Sequence, residues 1–486
     1  MDAKNLLIIM SDQHSRALMG CYGHSVVRTP HLDALAQRGT RFTNCWTPSP
    51  VCVPARAAFA TGKYIHQIGF WDNADPYDGS IPSWHHRLRD AGHRVVSIGK
   101  LHFRSDDDDS GFSEAIVPMQ VIDGKGDLLG LIRDDLPVRG AAYKMARMAG
   151  PGESPYTLYD REIAARAQIW LHQEAPKYRD KPWVLFVSFV APHYPLTAPP
   201  EHYFRYYNDP NLPMPQFYER DQRPTHPFVR DYAASFNFDD YFKSPDDIRR
   251  AVAGYYGLCS FMDEQAGKVL DALGNAGLTD DTRIIYTSDH GDALGKRGLW
   301  GKSTLYEEAC AVPLIVAGEG IPANSVVDTP ANLIDAYPFI IDCVGESGHG
   351  MIDADHPGVS FARLANGERP DRTVLSEYHG MGSTTGAFAI RFGKFKYVHY
   401  AGYPPQLFDL IADPEEAKDL SADPGFAEVL ANCEARLRQL LSPEEVDARA
   451  KKRQAEQLQR HGGREAVIAR GDLGFSPPPG VRAEFH

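Results

Sequence analysis

Short runs of apolar residues recur along the first two thirds of the chain, and amphipathic stretches separate them. Within each run the apolar positions are continuous, which is typical of strands that are buried on both faces of a parallel sheet. The strands that these runs predict span residues 5–10, 94–98, 183–190, 282–287 and 312–317. Helical spacing is found at 33–38, 82–91, 161–173 and 248–276. This alternation predicts an α/β fold with helices flanking a large, mainly parallel sheet.

The pattern changes after about residue 370, where short alternating pieces at 387–392 and 394–399 precede a helix at 426–441. We therefore predict an α/β catalytic domain over residues 1–365. A small C-terminal α+β domain with an antiparallel sheet is predicted over 366–442, followed by a helical and extended tail over 443–486. The tail has no core of its own, so we expect it to contact a neighbouring subunit of a homo-oligomer.

Two long stretches inside the catalytic domain lack a clear period. Residues 104–159 contain an acidic run and several glycines, which predict irregular backbone. Residues 210–241 are rich in proline, aspartate and aromatic residues, and we expect a lid or a subunit contact there.

Composition narrows the class of protein. The chain has 486 residues and a formal net charge of -13, which argues against general binding to nucleic acid or acidic membranes. Its seven cysteines are scattered, with no disulfide framework or zinc spacing. The apolar run at 5–10 is too short for a signal peptide, and no stretch has the length of a membrane span. These observations predict a cytoplasmic enzyme.

Cys52 lies at the predicted start of a helix. Pro54 suits the first turn, residues 55–60 are good helix formers, and Thr61-Gly62 ends the helix. The amide groups and the dipole of a helix N-terminus favour an anion, so this is a suitable place for a reactive group. The alternative is that Cys52 is an ordinary small buried residue.

Polar clusters follow four of the predicted strands. They are Asp12-Gln13, Lys100 with His102, His193, and Asp289-His290. Ligands of open α/β sheets bind at the carboxyl ends of the strands, so these residues should converge. Taken singly, each could be a loop cap or a hydrogen-bonded histidine. Together, the carboxylates, amide oxygen and imidazole of the first and last clusters suit Ca²⁺, Mg²⁺ or Mn²⁺.

The spelling Cys52-x-Pro54-x-Arg56 resembles the signature of the type I sulfatases, a branch of the alkaline phosphatase superfamily. The likeness continues through residues 29–35, 39–44 and 61–62. Further motifs similar to those of the family occur at 99–102 (Gly-Lys-x-His), 192–195 (Pro-His-x-Pro), 298–302 and, in the small domain, 407–416. The resemblance implies an alkaline-phosphatase-like fold.

The resemblance also implies the cofactors. In such sulfatases the cysteine is oxidised to formylglycine, which makes a formylglycine-generating enzyme a partner of this chain. One divalent metal, Ca²⁺ or Mn²⁺, would be held by Asp12, Gln13, the modified Cys52, Asp289 and His290. Many sulfatases have Asp and Asn where this chain has Gln13 and His290. In this respect the chain is similar to the choline-sulfatase-like and phosphonate monoester hydrolase branches.

A mechanism follows from the resemblance. The hydrated aldehyde at position 52 attacks the sulfur, and Arg56, Lys100, Lys302 and the metal stabilise the oxyanions. His193 with Lys302 protonates the leaving oxygen, and His102 then takes the proton of the second hydroxyl, which expels sulfate. Asn73 is either a hydrogen-bond donor to the transferred group or a turn residue.

The predicted function is hydrolysis of a small sulfate monoester, and the arylsulfatase and choline-sulfatase-like branches resemble the chain most. An alternative on the same scaffold is a phosphonate monoester or phosphodiester hydrolase. A third hypothesis is a non-catalytic anion-binding protein, in which Cys52 stays a thiol.

Overall fold

The computed structural model describes residues 1–486, and its regular backbone comprises sixteen strands and fifteen α-helices, with short 3₁₀ turns between them. The strands are β1 (Asn5–Asp12), β2 (Gly39–Phe42), β3 (Cys45–Trp46), β4 (Val95–Lys100), β5 (Glu114–Met119), β6 (Gly150–Pro151), β7 (Val184–Pro192), β8 (Thr197–Ala198), β9 (Thr282–Ser288), β10 (Leu314–Ala317), β11 (Ser325–Val327), β12 (Ala331–Asn332), β13 (Val374–Tyr378), β14 (Ala387–Phe392), β15 (Phe395–Tyr400) and β16 (Tyr403–Asp409). The helices are α1 (Pro30–Arg38), α2 (Cys52–Thr61), α3 (Ile65–Ile68), α4 (Trp84–Asp90), α5 (Lys144–Arg147), α6 (Pro155–Ile169), α7 (Pro200–Tyr207), α8 (Pro227–Ser235), α9 (Pro245–Asn275), α10 (Glu307–Cys310), α11 (Ala336–Cys343), α12 (Phe361–Ala365), α13 (Ala427–Leu440), α14 (Pro443–Arg460) and α15 (Gly463–Arg470).

Eight strands form the central sheet, in the order β11-β2-β10-β9-β1-β7-β4-β5. All neighbours are parallel except at β10, which runs antiparallel to both β9 and β2. The predicted large, mainly parallel sheet is therefore confirmed, with one reversed strand that the apolar pattern does not distinguish.

Helices cover both faces of the sheet, because successive side chains of its central strands point to opposite sides. In β1, Leu6, Ile8 and Met10 join the core that contains α2 and α11. Leu7 and Ile9 join the core on the other face, which contains α6 and α9. No helix in the structure is both long enough and apolar enough to cross a membrane.

A second sheet of four antiparallel strands, β13-β14-β15-β16, follows in the C-terminal part, and α13 packs on β14 and β15. This confirms the predicted C-terminal antiparallel sheet. The proposed boundaries near 365 and 442 stay a prediction.

Two expectations about irregular regions were wrong in part. The stretch 104–159 contains the edge strand β5, and α6 already begins at Pro155. Most of β5 is exposed or half-buried, so it lacks the apolar signature of the inner strands. The insertion 210–241 contains α8, whose Phe228 and Tyr232 are buried, so this segment contributes to the core.

The tail packs against its own chain. Asp472 accepts a hydrogen bond from the amide of Ala141 at 2.8 Å, and the hydroxyls of Tyr156 and Tyr194 donate to the carbonyl oxygens of Ser476 and Gly474. These contacts fix the tail beside β7 and α6. A contact with a neighbouring subunit, and the homo-oligomer itself, stay predictions.

A buried ion pair outside the active site gives a stability prediction. Arg372 donates to both carboxylate oxygens of Asp335, at 2.7 and 2.9 Å, and Asp335 is fully buried. Arg372→Met leaves that carboxylate without a countercharge, so we expect a loss of about 3 kcal/mol in the free energy of unfolding. Chemical denaturation measures it. Arg363→Met, which breaks the exposed pair with Glu368, is the control, and equal losses would contradict the prediction.

Candidate active site

The four polar clusters meet at the carboxyl edge of the central sheet. Asp12 and Lys100 are the last residues of β1 and β4, and His193 and Asp289 directly follow β7 and β9. Strands β9, β1, β7 and β4 are consecutive neighbours in the sheet. The parallel order therefore brings together residues that are up to 278 positions apart in the chain, since Nε2 of His290 lies 3.9 Å from Oδ1 of Asp12.

Cys52 is the first residue of α2, which Gly62 ends in a left-handed conformation with φ 68°. Its side chain is buried, with Sγ 3.2 Å from Nε2 of His290 and 2.7 Å from Nζ of Lys302. Burial, followed by the charge of Asp12, raises the pKa of the Cys52 thiol above its usual value despite the nearby lysines. The unmodified thiol is therefore a poor nucleophile, because the thiolate is the reactive form.

Asp12, Cys52, Asp289 and His290 form a group whose ligand atoms all lie within 4.8 Å of one another. Nδ1 of His290 donates to the carbonyl oxygen of Gly291 at 3.0 Å. The proton is therefore on Nδ1, and the lone pair of Nε2 faces the group. Burial alone would raise the pKa of the Asp12 carboxyl, but the surrounding cations, led by Lys100, hold it well below its usual range. This donor set fits a divalent cation.

Gln13 lies beside this group in a left-handed conformation, with φ 68°. Its backbone amide donates to Oδ1 of Asp289 at 3.1 Å, and its side-chain Oε1 accepts from Nζ of Lys302 at 3.0 Å. Its Nε2 donates to Asp292, a buried carboxylate to which the sequence analysis assigned no role. Gln13 is thus held at the site from both ends, and its place in a ligand set stays a prediction.

Arg56 holds the two carboxylates. Its Nε donates to Asp289 at 2.8 Å and its second terminal nitrogen to Asp12 at 3.3 Å. The other terminal nitrogen donates to Oγ of Ser188 and to the carbonyl oxygen of Lys100, both at 2.9 Å. Since these bonds occupy the guanidinium, Arg56 is placed to orient the carboxylates of the site.

The lysines have different surroundings. Nζ of Lys100 lies 2.6 Å from Oδ2 of Asp12 and is fully buried. Nζ of Lys302 lies between Sγ of Cys52, Oε1 of Gln13 and Nε2 of His193, the last at 3.0 Å. Lys302 is therefore within reach of any group attached to position 52.

The two histidines also differ. Nδ1 of His193 donates to the carbonyl oxygen of Tyr194 at 2.6 Å, so its Nε2 is the acceptor that faces Lys302. His102 is buried with φ 56°, and neither ring nitrogen has a hydrogen-bond partner. Burial, together with Lys100, lowers the pKa of His102 well below 6.5, so its ring is neutral. A neutral, unpartnered imidazole facing a cavity is able to accept a proton.

A cavity opens from Cys52, Lys302 and the two histidines towards the surface. Asn73 also lines it, while its Oδ1 accepts a hydrogen bond from the amide of Val53 at 3.2 Å. Asn73 therefore supports the start of α2 and faces the cavity at the same time. Five aromatic residues also line the cavity, Tyr194, Tyr232, Phe236, Phe238 and Phe475, together with the ion pair of Asp127 and Arg139.

No pattern in the sequence predicts that these aromatic residues line the cavity. Phe475 belongs to the tail and Tyr232 to the insertion, and no local pattern links either residue to the strand ends. Asp292, by contrast, could have been predicted as a site residue, because it stands two residues after His290 in the same polar cluster.

The fold and this arrangement define a hydrolase of the α/β class, with its reactive residue and cations at the carboxyl ends of parallel strands. Comparison with known families agrees. The profile described as Sulfatase matches residues 4–346, and the one described as N-sulphoglucosamine sulphohydrolase, C-terminal, matches residues 295–442. The chain belongs to the sulfatase family.

Individual proteins support the same conclusion. A choline-sulfatase of Rhizobium meliloti (strain 1021) is 34% identical over 429 residues, which cover 86% of this chain and 83% of that protein. Arylsulfatase K of Bos taurus is 28% identical, with 92% and 83% covered. The crystal structure of the phosphonate monoester hydrolase of Agrobacterium radiobacter has the same fold, with a TM-score of 0.71, 23% identity, and 90% and 95% covered.

The chain is therefore an enzyme, a hydrolase that acts on sulfate esters. The predicted sulfatase function is confirmed at this level. The hypothesis of a non-catalytic anion-binding protein is set aside.

Proposed function

We propose that Cys52 is converted to formylglycine and that the hydrated aldehyde supplies the oxygen that attacks the sulfur of a sulfate monoester. The observation that carries this proposal is the surroundings of Sγ, which contacts His290 and Lys302 inside the group of metal-binding side chains. A buried thiol with a raised pKa is a poor nucleophile at this position. An oxygen nucleophile at the same point would have both a cation and a proton donor nearby.

We propose that Asp12, Asp289 and His290, with Gln13 and the modified residue 52, hold one divalent ion, either Ca²⁺ or Mn²⁺. When bound, such an ion supplies positive charge next to the nucleophile and the transferred group. Arg56 and Lys100 already orient the two carboxylates, so little reorganisation is needed on binding.

The remaining side chains have separate roles in this proposal. Lys100 and Lys302 stabilise the oxygens of the transferred group, and Asn73 is in reach of the same group. Because Nε2 of His193 accepts from Lys302, the proton for the leaving oxygen comes from the Lys302 ammonium, with His193 holding it in place. His102 takes the proton that must leave the second hydroxyl before sulfate departs.

Hydrolysis of phosphonate monoesters or phosphodiesters is the second candidate. Gln13 and His290 keep this candidate open, because they resemble the phosphonate monoester hydrolase branch as well as the choline-sulfatase-like branch. Rates on an aryl sulfate and on a phenyl phosphonate, measured with one preparation, test the choice. A higher kcat/KM for the sulfate supports the main proposal, and a higher value for the phosphonate supports the alternative. Intact mass of the Cys52 peptide tests the modification.

We propose that the alcohol half of the substrate contacts aromatic rings, because five of them line the cavity that contains Cys52. One relative is named a choline-sulfatase, and the faces of the aromatic rings in the cavity are suited to a quaternary ammonium group. Comparing choline sulfate with 4-nitrophenyl sulfate tests this point directly.

Metal removal should abolish activity. Treatment with a chelator should lower kcat by more than about 100-fold, since even loss of a residue that supports a metal ligand costs about 10–100-fold. Adding Mn²⁺ or Ca²⁺ should restore the rate, and the imidazole of His290 favours tolerance of Mn²⁺. Asp289→Asn should show the same loss without rescue. Full activity in protein shown by elemental analysis to be free of metal would exclude the proposed ion.

The cell compartment and the partners are also proposals. None of the seven cysteines forms a disulfide, which agrees with a reducing compartment such as the cytoplasm. A formylglycine-generating enzyme is the partner that the modification requires. A homo-oligomer is proposed as well, and light scattering of the purified protein tests it.

A further inference from the structure

Glu416 ends the small-domain motif 407–416, yet it does not line the active-site cavity. Glu416 is buried. Its backbone has φ 51°, in the left-handed region that residues other than glycine rarely adopt. Such a conformation costs free energy and persists where the surrounding contacts enforce it. The contacts of its carboxylate show what those constraints are.

The carboxylate joins the small domain to α10. One oxygen accepts a hydrogen bond from the amide of Glu307, the first residue of α10, at 2.7 Å. The other lies 2.7 Å from Nζ of Lys396 in β15, which is fully buried and lies 3.3 Å from Glu307. Glu416 is thus the link between a buried cation of the small sheet and the start of α10.

Helix α10 in turn holds the strand end that carries Asp289 and His290. The carbonyl oxygen of Ala309 accepts from the amide of Gly291 at 2.9 Å. A Cβ atom at Gly291 would overlap the carbonyl oxygen of Glu308, so the two segments are in close backbone contact. A shift of α10 therefore moves the residue next to His290.

A second connection reaches the loop that carries Lys302. Arg297 donates to the carbonyl oxygen of Glu415 and, at 3.0 Å, to Glu308. Its loop is closed by the hydrogen bond from the amide of Ala293 to the carbonyl oxygen of Gly301, at 2.7 Å. The next residue is Lys302. The segment around Glu416 therefore contacts both α10, which packs against the residue after His290, and Arg297, whose loop leads to Lys302.

We propose that Glu416 is a positioning residue for the hydrolysis of sulfate esters, which acts through α10 on Asp289 and His290 and through Arg297 on Lys302. This inference rests on the roles proposed above for those residues. It assigns the motif 407–416 a part in catalysis from outside the cavity.

Glu416→Ala tests the proposal by two readouts that loss of stability alone does not change. The affinity of metal-stripped protein for Mn²⁺, measured by calorimetry, should fall about 10-fold, as is typical when a residue behind a metal ligand is removed. The dependence of kcat on the pKa of the leaving alcohol should become steeper, because Lys302 is displaced. Glu416→Gln, which keeps an oxygen for the amide of Glu307, should recover part of both effects.

Arg372→Met is the matched control, since it also breaks a buried ion pair but has no connection to α10. It should leave Mn²⁺ affinity and the leaving-group dependence unchanged in the folded protein. If Glu416→Ala lowers the denaturation midpoint like the control and leaves both readouts unchanged, Glu416 is only structural and the proposal is overturned. Wild-type protein that binds no Mn²⁺ and no Ca²⁺ would instead overturn the proposed metal, and an unchanged leaving-group dependence in Glu416→Ala would then overturn the positioning role.

Discussion

Replacing Cys52 with alanine should reduce the hydrolysis of sulfate esters by at least about 10⁴-fold, as is typical when a nucleophile is removed. The variant has no side chain that can become an aldehyde, while Arg56 keeps its contacts with the two carboxylates and Lys302 keeps those with Gln13 and His193. Alanine fits the first turn of α2, so we expect the denaturation midpoint to stay close to that of the wild type. The assay is kcat/KM on an aryl sulfate, with circular dichroism to check folding.

Cys433→Ala is the matched control for this experiment. Cys433 is also buried, but it lies on α13 in the C-terminal part of the chain, away from the cavity. The control should keep wild-type activity. Turnover near the wild-type rate in homogeneous Cys52→Ala protein would exclude position 52 as the source of the nucleophile.

His102→Ala should stop the reaction halfway. The alcohol is released in the first step, and His102 is proposed to act only in the second, so sulfate should stay on the protein. We expect a burst of about one alcohol per active site, followed by very slow turnover. Mass spectrometry of the quenched protein should detect the retained sulfate on the peptide that contains residue 52.

His193→Ala should behave differently, because His193 orients the Lys302 ammonium during departure of the alcohol. No burst is expected, and the rate should depend more steeply on the pKa of the leaving alcohol. Equal losses in both variants without retained sulfate would mean that the histidines only orient ligands. Retained sulfate in His193→Ala rather than in His102→Ala would reverse the two roles.

The sequence predicts the central sheet well because its inner strands are buried on both faces. Strands β1, β7 and β9 are buried almost throughout, and each contains a short apolar run that ends close to the polar residues of the site. The edge strand β5 is half-exposed and has no such signature. The direction of β10 depends on how the chain returns to the sheet, which local periodicity does not encode.

The positions of the predicted site residues follow from the same physics, since parallel strands place their ends at one edge. Their hydrogen bonds do not follow from it. The sequence offers Arg56 as a cation for the substrate, whereas the structure shows its guanidinium bound to Asp12 and Asp289. The aromatic lining of the cavity could not be predicted from the sequence either, because Phe475 and Tyr232 come from segments whose positions depend on tertiary contacts.

The burial of Cys52 sets a limit on when the residue can be modified. Its side chain is 1% exposed, so another enzyme cannot reach the sulfur once the site has formed. The site needs Lys302, which is 250 residues further along the chain. At a synthesis rate of about 5–20 residues per second, that segment takes roughly 12–50 s to make. The proposed conversion of Cys52 would therefore compete with the folding of the growing chain, and the fraction of active enzyme would depend on the ratio of the two rates.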